Sequence, residues 1–177
     1  MKAKVKRILD MNGIREEFFM QALHQDIREM FLGEICTYMK SGKEQYLEIR
    51  KIYYKTADDI LAAKRIVQKV CGKNLPDEDL AWLDKCIKAY FHKDDRRRHV
   101  TKEERRQLWE KQGRCCAICG QLVRLQNLHV DHIVPWDYVG DELEDNLQAL
   151  CADCNEHKSN HVACTLRHLI VEKKGVS

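Results

Sequence analysis

Apolar residues recur at three- and four-residue steps along residues 1–95, which is the period of one face of an α-helix. Three such stripes are present: Met20, Leu23, Ile27, Met30 or Phe31, Ile35 and Tyr38; Ile60, Ala63, Val67 and Val70; and Leu80, Leu83, Ile87, Tyr90 and Phe91. Gly72 and Pro76 follow the second stripe, where they would end its helix. The pattern therefore predicts a mainly helical region with an apolar core.

The hydrophobic pattern changes after residue 95 and predicts shorter elements. Thr101 with Glu104 forms a capping-box pattern, which predicts that a helix begins there. The Leu- and Val-rich segment 121–133 favours a short β-hairpin, and segment 145–160 favours helical turns. We expect an α+β chain made of a helical region 1–95, a basic connector and helix 96–112, a small module 113–165 and a tail 166–177.

Composition is that of a folded protein that acts inside the cell. The chain has 177 residues, of which 44% are hydrophobic and 33% are charged. No stretch reaches the roughly 20 apolar residues of a membrane span, and the basic start lacks the apolar run of a signal peptide. We therefore expect a cytoplasmic, non-secreted protein without membrane contact, whose nine cysteines are reduced thiols or metal ligands.

Basic residues are concentrated in one short stretch, although the formal net charge of the chain is only +3. Arg96, Arg97 and Arg98 open this stretch, and further lysines and arginines follow with glutamates interleaved. A local basic segment can neutralise phosphates even when the whole chain is nearly neutral. The three arginines are therefore candidate contacts to a nucleic-acid backbone, with a solvated connector as the open alternative.

Two Cys-x-x-Cys pairs lie in the second half of the chain, Cys116 with Cys119 and Cys151 with Cys154. Each pair brings two thiolates to one side of a metal, and two pairs complete the tetrahedral shell of a structural zinc ion. Cys115 is an alternative ligand to Cys116, although the spacing favours Cys116. A module this small buries little apolar surface, so we expect zinc to supply much of its folding energy.

The residues around these pairs resemble the HNH endonucleases of the ββα-metal fold. The resemblance rests on Cys-x-x-Cys-Gly, on Val-Asp-His-Ile-Val-Pro at 130–135, and on Asp-Asn-Leu-Gln-Ala-Leu-Cys-x-x-Cys-Asn-x-x-Lys at 145–158. It covers about residues 103–160, and the order, the spacing and the embedded zinc ligands agree. It implies a ββα-metal module that is stabilised by a structural zinc ion. This module would hydrolyse phosphodiester bonds in DNA with the help of a catalytic divalent cation.

The resemblance also implies roles for individual residues. His132 would be the general base, Asn146 would brace the loop that orients it, and Asp131 with Asn155 would hold the catalytic cation. An imidazole is suited to deprotonating water near neutral pH. Because Asp131 and His132 alternate along a strand yet must reach one phosphate, we expect the strand to end or bulge near His132.

One position departs from the pattern that gives the family its name, since Asn155 stands where a final histidine is usual. Oxygen ligands suit hard cations, so Asn155 favours binding of Mg²⁺ or Mn²⁺ over binding of softer ions. His157 is the alternative ligand. We also expect Lys158 to contact phosphate, with a solvated lysine as the alternative.

Other functions remain compatible with these residues. One is a non-catalytic zinc-stabilised nucleic-acid-binding module, and another is an RNase or a nuclease subunit of a larger assembly. The near-neutral charge of residues 1–95 favours a homodimer or a protein partner over extensive phosphate binding. The resemblance does not choose among restriction, phage defence, mobile elements and phage packaging. It also leaves open the cleavage sequence and whether one strand or both are cut.

Overall fold

The computed structural model describes residues 2–159, 161 and 166. Its first part is helical, as the apolar stripes predict. The helices are α1 Ala3–Met11, α2 Glu16–Lys40, α3 Lys43–Lys55, α4 Asp59–Cys71 and α5 Asp77–His92. Residues 160 and 162–165 of the predicted module and the predicted tail 166–177 lie outside the described residues, Leu166 excepted.

The ends of α4 follow from its sequence. The Asp58 carboxylate accepts a hydrogen bond from the Leu61 backbone N–H at 2.7 Å, which satisfies one of the unpaired donors of the first turn. Gly72 closes the helix in the left-handed conformation, at φ 62°. Glycine adopts this conformation without the steric cost that a Cβ atom brings. The prediction that α4 stops at Gly72 is confirmed.

The predicted apolar stripe of α2 is correct only in its second half. Ile35 is fully buried, but Met20, Ile27 and Met30 are 47%, 40% and 58% exposed. In the first half of α2 the buried positions are Ala22, Asp26 and Glu29. The apolar spacing thus identified the helix but assigned the wrong face of its N-terminal half to the core.

The chain divides into two compact units. The helical unit consists of residues 28–99 and 132–146, and the cysteine unit consists of residues 1–27, 100–131 and 147–177. The chain therefore passes from one unit to the other between Asp131 and His132, and returns between Asn146 and Leu147. The segment that follows the Asp131-His132 pair thus belongs to the helical unit.

The core of the helical unit is formed by α2 to α5 together with the segment 132–146. Its largest fully buried side chains include Leu32, Ile35, Ile49, Ile66, Leu80, Leu83 and Ile87. Val134 and Val139 join the same cluster, and Val139 ends the short helix α7, Trp136–Val139. Burial of these two valines anchors the segment that begins at His132.

The cysteine unit begins its second stretch with α6, Lys102–Lys111. Thr101 caps this helix, since its hydroxyl accepts from the Glu104 backbone N–H while the Glu104 carboxylate accepts from the Thr101 backbone N–H. The predicted capping box is confirmed. The Trp109 indole then donates to the Val123 carbonyl at 2.7 Å, which ties the helix to the following loop.

A two-strand hairpin followed by a helix completes this unit, and the predicted ββα arrangement is confirmed. The elements are β1 His129–His132, β2 Leu147–Leu150 and α8 Ala152–Lys158. The predicted hairpin within 121–133 is wrong, because only β1 forms there and residues 125–127 make a 3-10 turn. Its partner strand β2 lies where the sequence favoured helical turns. The prediction that the strand ends at His132 is confirmed.

Every helix in the described part of the chain is too short or too polar to span a lipid bilayer.

Candidate active site

The two Cys-x-x-Cys pairs come together in one cluster. The Sγ atoms of Cys116, Cys119, Cys151 and Cys154 all lie within 4.8 Å of one another, and those of Cys119 and Cys151 are 3.9 Å apart. A tetrahedral zinc ion with Zn–S bonds of about 2.3 Å places its sulfur ligands roughly 3.8 Å apart. The residues therefore fit a structural zinc ion. Cys115 is not in the cluster, and its Sγ lies 3.3 Å from the Gly113 carbonyl oxygen.

Local backbone structure places the four thiols. Gly120 adopts φ 73°, and its N–H donates to the Cys116 carbonyl at 3.0 Å, which closes the first turn. Cys151 is the N-cap of α8, and its Sγ accepts from the Cys154 backbone N–H at 3.5 Å. The second pair thus straddles the start of a helix, where backbone N–H groups favour a thiolate.

The thiols of the first pair differ in acidity. Burial raises the pKa of Cys119 to about 12, and the adjacent charge of Cys116 acts in the same direction. Burial also opposes ionisation of Cys116, but backbone N–H groups of Cys119, Cys151 and Ile118 outweigh it and lower the pKa of that thiol. A second thiolate beside the first needs a positive charge among the sulfurs, which is what a zinc ion supplies.

Asp131 carries a buried carboxylate oxygen that faces the ammonium group of Lys158. Its Oδ2 lies 2.8 Å from Lys158 Nζ, and the Lys158 side chain is only 5% exposed. No described residue donates an aligned hydrogen bond to this oxygen, so the contact is an ion pair. A buried carboxylate oxygen without a hydrogen-bond donor is a fitting ligand for a hard divalent cation.

Asn155 lies on α8, three residues before Lys158. Residues three apart on a helix share a face, so Asn155 projects from the face whose Lys158 reaches Asp131. His157 is exposed, and its Nδ1 lies 2.7 Å from the Asp153 carbonyl oxygen. Asn155 therefore shares the helix face of Lys158, whereas the exposed His157 contacts the Asp153 carbonyl.

His132 is 3% exposed, and both of its ring nitrogens have partners in the helical unit. Its Nε2 lies 3.0 Å from Asp141 Oδ1, and its Nδ1 lies 3.2 Å from Arg97 Nη2. A carboxylate can only accept a hydrogen bond and a guanidinium can only donate one. The partners therefore define a neutral imidazole that carries its proton on Nε2 and its lone pair on Nδ1.

Asp141 is held by donors on both of its oxygens. Its Oδ2 accepts from the Arg98 backbone N–H at 2.8 Å and from the Trp136 indole at 3.1 Å. Burial by itself would raise the pKa of Asp141, but these two donors and His132 outweigh it and hold the pKa below its usual value. Sequence reasoning missed this residue, because no motif spacing marks a carboxylate in the loop between His132 and Asn146.

Asn146 closes the loop that begins at His132. Its Oδ1 accepts from the Val134 N–H at 2.8 Å, and its Nδ2 donates to the Val134 carbonyl at 3.0 Å. The backbone adds a third bond, from the Ile133 N–H to the Asn146 carbonyl at 2.8 Å. Asn146 is 5% exposed, so these bonds are shielded from water. This geometry can fix the backbone next to His132.

The three arginines of the basic stretch have different surroundings. Arg97 contacts His132, and Arg98 contacts Asp141 through its backbone and, at 4.0 Å, through its side chain. Arg96 is exposed, and its backbone N–H donates to Asp94 Oδ1 at 3.2 Å. Part of the predicted phosphate-binding stretch therefore lies directly on the imidazole of His132.

Comparison with known proteins adds one finding. A family model described as HNH endonuclease matches residues 116–161, which is less than half of the chain. The resemblance drawn from the sequence motifs is confirmed over this range, which contains the four-cysteine cluster and the Asp131-His132 pair. No curated protein and no solved structure matches the chain.

Proposed function

Because residues 116–161 form an HNH endonuclease domain, we propose that this chain is a metal-dependent endonuclease that hydrolyses phosphodiester bonds in DNA. His132 is the general base, and Asp131 and Asn155 hold the catalytic cation. The observation that carries the proposal is the arrangement of His132. Its Nε2 lies against the Asp141 carboxylate. Its Nδ1 lone pair lies against Arg97, whose guanidinium is suited to binding phosphate.

The chain's own residues supply a proton acceptor and a fixed geometry. Nδ1 of His132 accepts a proton from the attacking water, whose oxygen forms a bond to phosphorus as the bond to the 3′ oxygen breaks. The leaving 3′ oxygen takes a proton from solvent water, so the products are a 5′ phosphate and a 3′ hydroxyl. Asn146 supports this step from a distance, since its two hydrogen bonds to Val134 hold the backbone that follows His132.

The two proposed metals have separate tasks. A Mg²⁺ or Mn²⁺ ion held by oxygen ligands would stabilise the charge that develops on the phosphate and on the leaving oxygen. The buried Asp131 oxygen supports this assignment, because its present partner is another cation, Lys158. The four-cysteine cluster has no ligand position left for substrate, so we assign its zinc a structural role.

Contacts to nucleic acid are proposed for the basic residues near these groups. All three arginines of the basic stretch, Arg96, Arg97 and Arg98, are exposed, and Arg97 also contacts His132. Lys158 is buried against Asp131, so a contact to phosphate requires that it leave this carboxylate. A divalent cation bound at Asp131 would take the place of the Lys158 charge beside this carboxylate. Lys158 could then move to a phosphate.

Cleavage of supercoiled plasmid tests the proposal. We expect the wild-type chain to cut in the presence of Mg²⁺ or Mn²⁺, and His132→Ala to lose at least about 100-fold in rate, the scale of a general base. His92→Ala is the matched control, because His92 is exposed at the end of α5. Single-stranded DNA and RNA substrates run in parallel define the substrate class.

Other outcomes would redirect the assignment. DNA binding without cleavage by a zinc-loaded wild-type chain would point to a non-catalytic binding module. Cleavage of RNA alone would point to an RNase. Equal cleavage by wild type and His132→Ala would remove His132 as the base.

A further inference from the structure

We propose that Asp141 is a positioning residue that determines which nitrogen of His132 takes the proton, and that Arg97 covers this nitrogen until phosphate arrives. The inference rests on the proposed function, since it names how the base of that reaction is set. Asp141, His132, Arg97 and the donors to Asp141 all belong to the helical unit.

The partner of Nε2 determines the imidazole tautomer of His132. Asp141 Oδ1 lies 3.0 Å from His132 Nε2, so the ionised carboxylate requires a proton on that nitrogen. The lone pair is then on Nδ1, which becomes the atom that receives the proton from water. After the transfer both nitrogens carry protons, and the negative charge of Asp141 stabilises the resulting imidazolium.

The other oxygen of Asp141 already accepts hydrogen bonds from two donors. Oδ2 accepts from the Arg98 N–H at 2.8 Å and the Trp136 indole at 3.1 Å. These donors orient the carboxylate so that Oδ1 faces the ring, and both require an acceptor. The amide of Asp141→Asn has only one oxygen. This oxygen can accept either from the Arg98 and Trp136 donors or from the Nε2 proton, because the amide nitrogen only donates.

Arg97 limits access to Nδ1 of His132. His132 is 3% exposed, and the Arg97 guanidinium lies 3.2 Å from Nδ1. Water cannot reach the lone pair while the guanidinium donates to it. A phosphate is a stronger partner for a guanidinium than a neutral imidazole, since it offers charge and a paired hydrogen-bond geometry. Binding of the nucleic-acid backbone therefore draws Arg97 away and uncovers the base.

Nitrogen NMR of the imidazole side chains tests the tautomer directly. Two-bond ¹H–¹⁵N spectra of wild type and His132→Ala identify the His132 signals. We expect a protonated Nε2 and an unprotonated Nδ1 in the wild type. In Asp141→Asn we expect the proton to move to Nδ1, in part or in full. A wild-type His132 with its proton on Nδ1 would overturn the proposal, whether or not the variant folds.

Kinetics test the consequence for the reaction. In Asp141→Asn we expect kcat for DNA cleavage to fall by roughly 100-fold, with KM changed far less, because the proton acceptor is misplaced while phosphate contacts remain. Glu144→Gln is the matched control, since it removes one negative charge from an exposed position of the same loop. An unchanged kcat in Asp141→Asn with an unchanged tautomer would also overturn the proposal.

Arg97 is tested with a short DNA duplex and no added divalent cation. We expect the duplex to shift the Nδ1 signal of wild-type His132, because Arg97 leaves that atom. The same duplex should produce a much smaller shift in Arg97→Ala and a full shift in Arg65→Ala, which removes an exposed arginine of α4 outside the proposed contacts. An Nδ1 signal in the wild type that does not respond to bound duplex would contradict the covering role. These spectra do not depend on cleavage, so failure of the proposed function is distinguishable from failure of this inference.

Discussion

Asp131 forms an ion pair with Lys158 in the cysteine unit. Oδ2 of Asp131 is buried, and Lys158 Nζ at 2.8 Å balances its charge. A lone buried carboxylate would be costly, so a cation is needed there in every state. In our proposal that cation is the lysine in the free protein and a divalent ion in the active one.

We expect Asp131→Asn to weaken the binding of the catalytic cation. The amide keeps the shape of the side chain but has no charge, so the half-saturating Mg²⁺ or Mn²⁺ concentration for cleavage should rise about tenfold or more. Zinc content should stay the same, because the cysteines are untouched. Titrating cleavage against Mg²⁺ and measuring zinc by metal analysis check both parts.

Glu156→Gln is the control for Asp131→Asn, since it removes one exposed carboxylate from α8. An unchanged cation requirement in Asp131→Asn would remove Asp131 from the ligands. Loss of zinc in that variant would instead mean that the substitution disturbs the cysteine cluster.

At the scale of elements, the loop between the strands depends on one glycine. Gly140 has φ 60° and follows α7 directly before Asp141. A Cβ atom at this position would lie 2.7 Å from the Cβ of Lys93, closer than side-chain carbons approach. The backbone would have to shift, and Asp141 would move with it.

We therefore expect Gly140→Ala to lower both the stability and the activity of the protein. Gly140 has ψ −143° as well as positive φ, a backbone region that is almost restricted to glycine and that costs other residues about 1–3 kcal/mol. Gly113→Ala is the comparison without a steric contact, since Gly113 has φ 66° and nothing is found within 4 Å of the added Cβ. Urea denaturation should rank Gly140→Ala as the less stable variant, and its kcat should fall. Equal stability and equal kcat in the two variants would contradict the steric argument.

The elements also show where local patterns succeed and where they fail. The stop of α4 at Gly72 and the capping box at Thr101 were predictable, because each depends on residues within one helical turn. Strand β2 was not, since Leu147–Leu150 alternates too little to distinguish a strand from a buried helix. Only its pairing with β1 makes it a strand.

At the scale of the whole molecule, the two units have different sources of stability. The helical unit has an extended apolar core, whereas the buried cluster of the cysteine unit is small and includes Cys116 and Cys154. The described residues of this unit bury little apolar surface, so we propose that a bound zinc ion supplies much of its folding free energy. Zinc loss should therefore unfold the cysteine unit before the helical one.

We expect Cys151→Ser to lose zinc and to expose the cysteine unit to solvent. Serine can still cap α8 through its hydroxyl, so the loss isolates the missing soft ligand. Hydrogen exchange should become fast in residues 114–130 and 147–158 and stay slow in α4 and α5. Cys115→Ser is the control and should keep its zinc. Full zinc retention in Cys151→Ser would contradict the four-cysteine site.

The sequence alone determined the chemistry available to this protein. The Cys-x-x-Cys spacing, the Asp131-His132 pair and the helix signals are local, so residue identity and spacing suffice to recognise them. Tertiary structure decided which groups meet. It placed Asp141 and Arg97, nine and 35 residues from His132, on its two nitrogens, and Lys158 on Asp131. Such contacts depend on how distant segments pack, and no local pattern encodes the geometry of a pair brought together by folding.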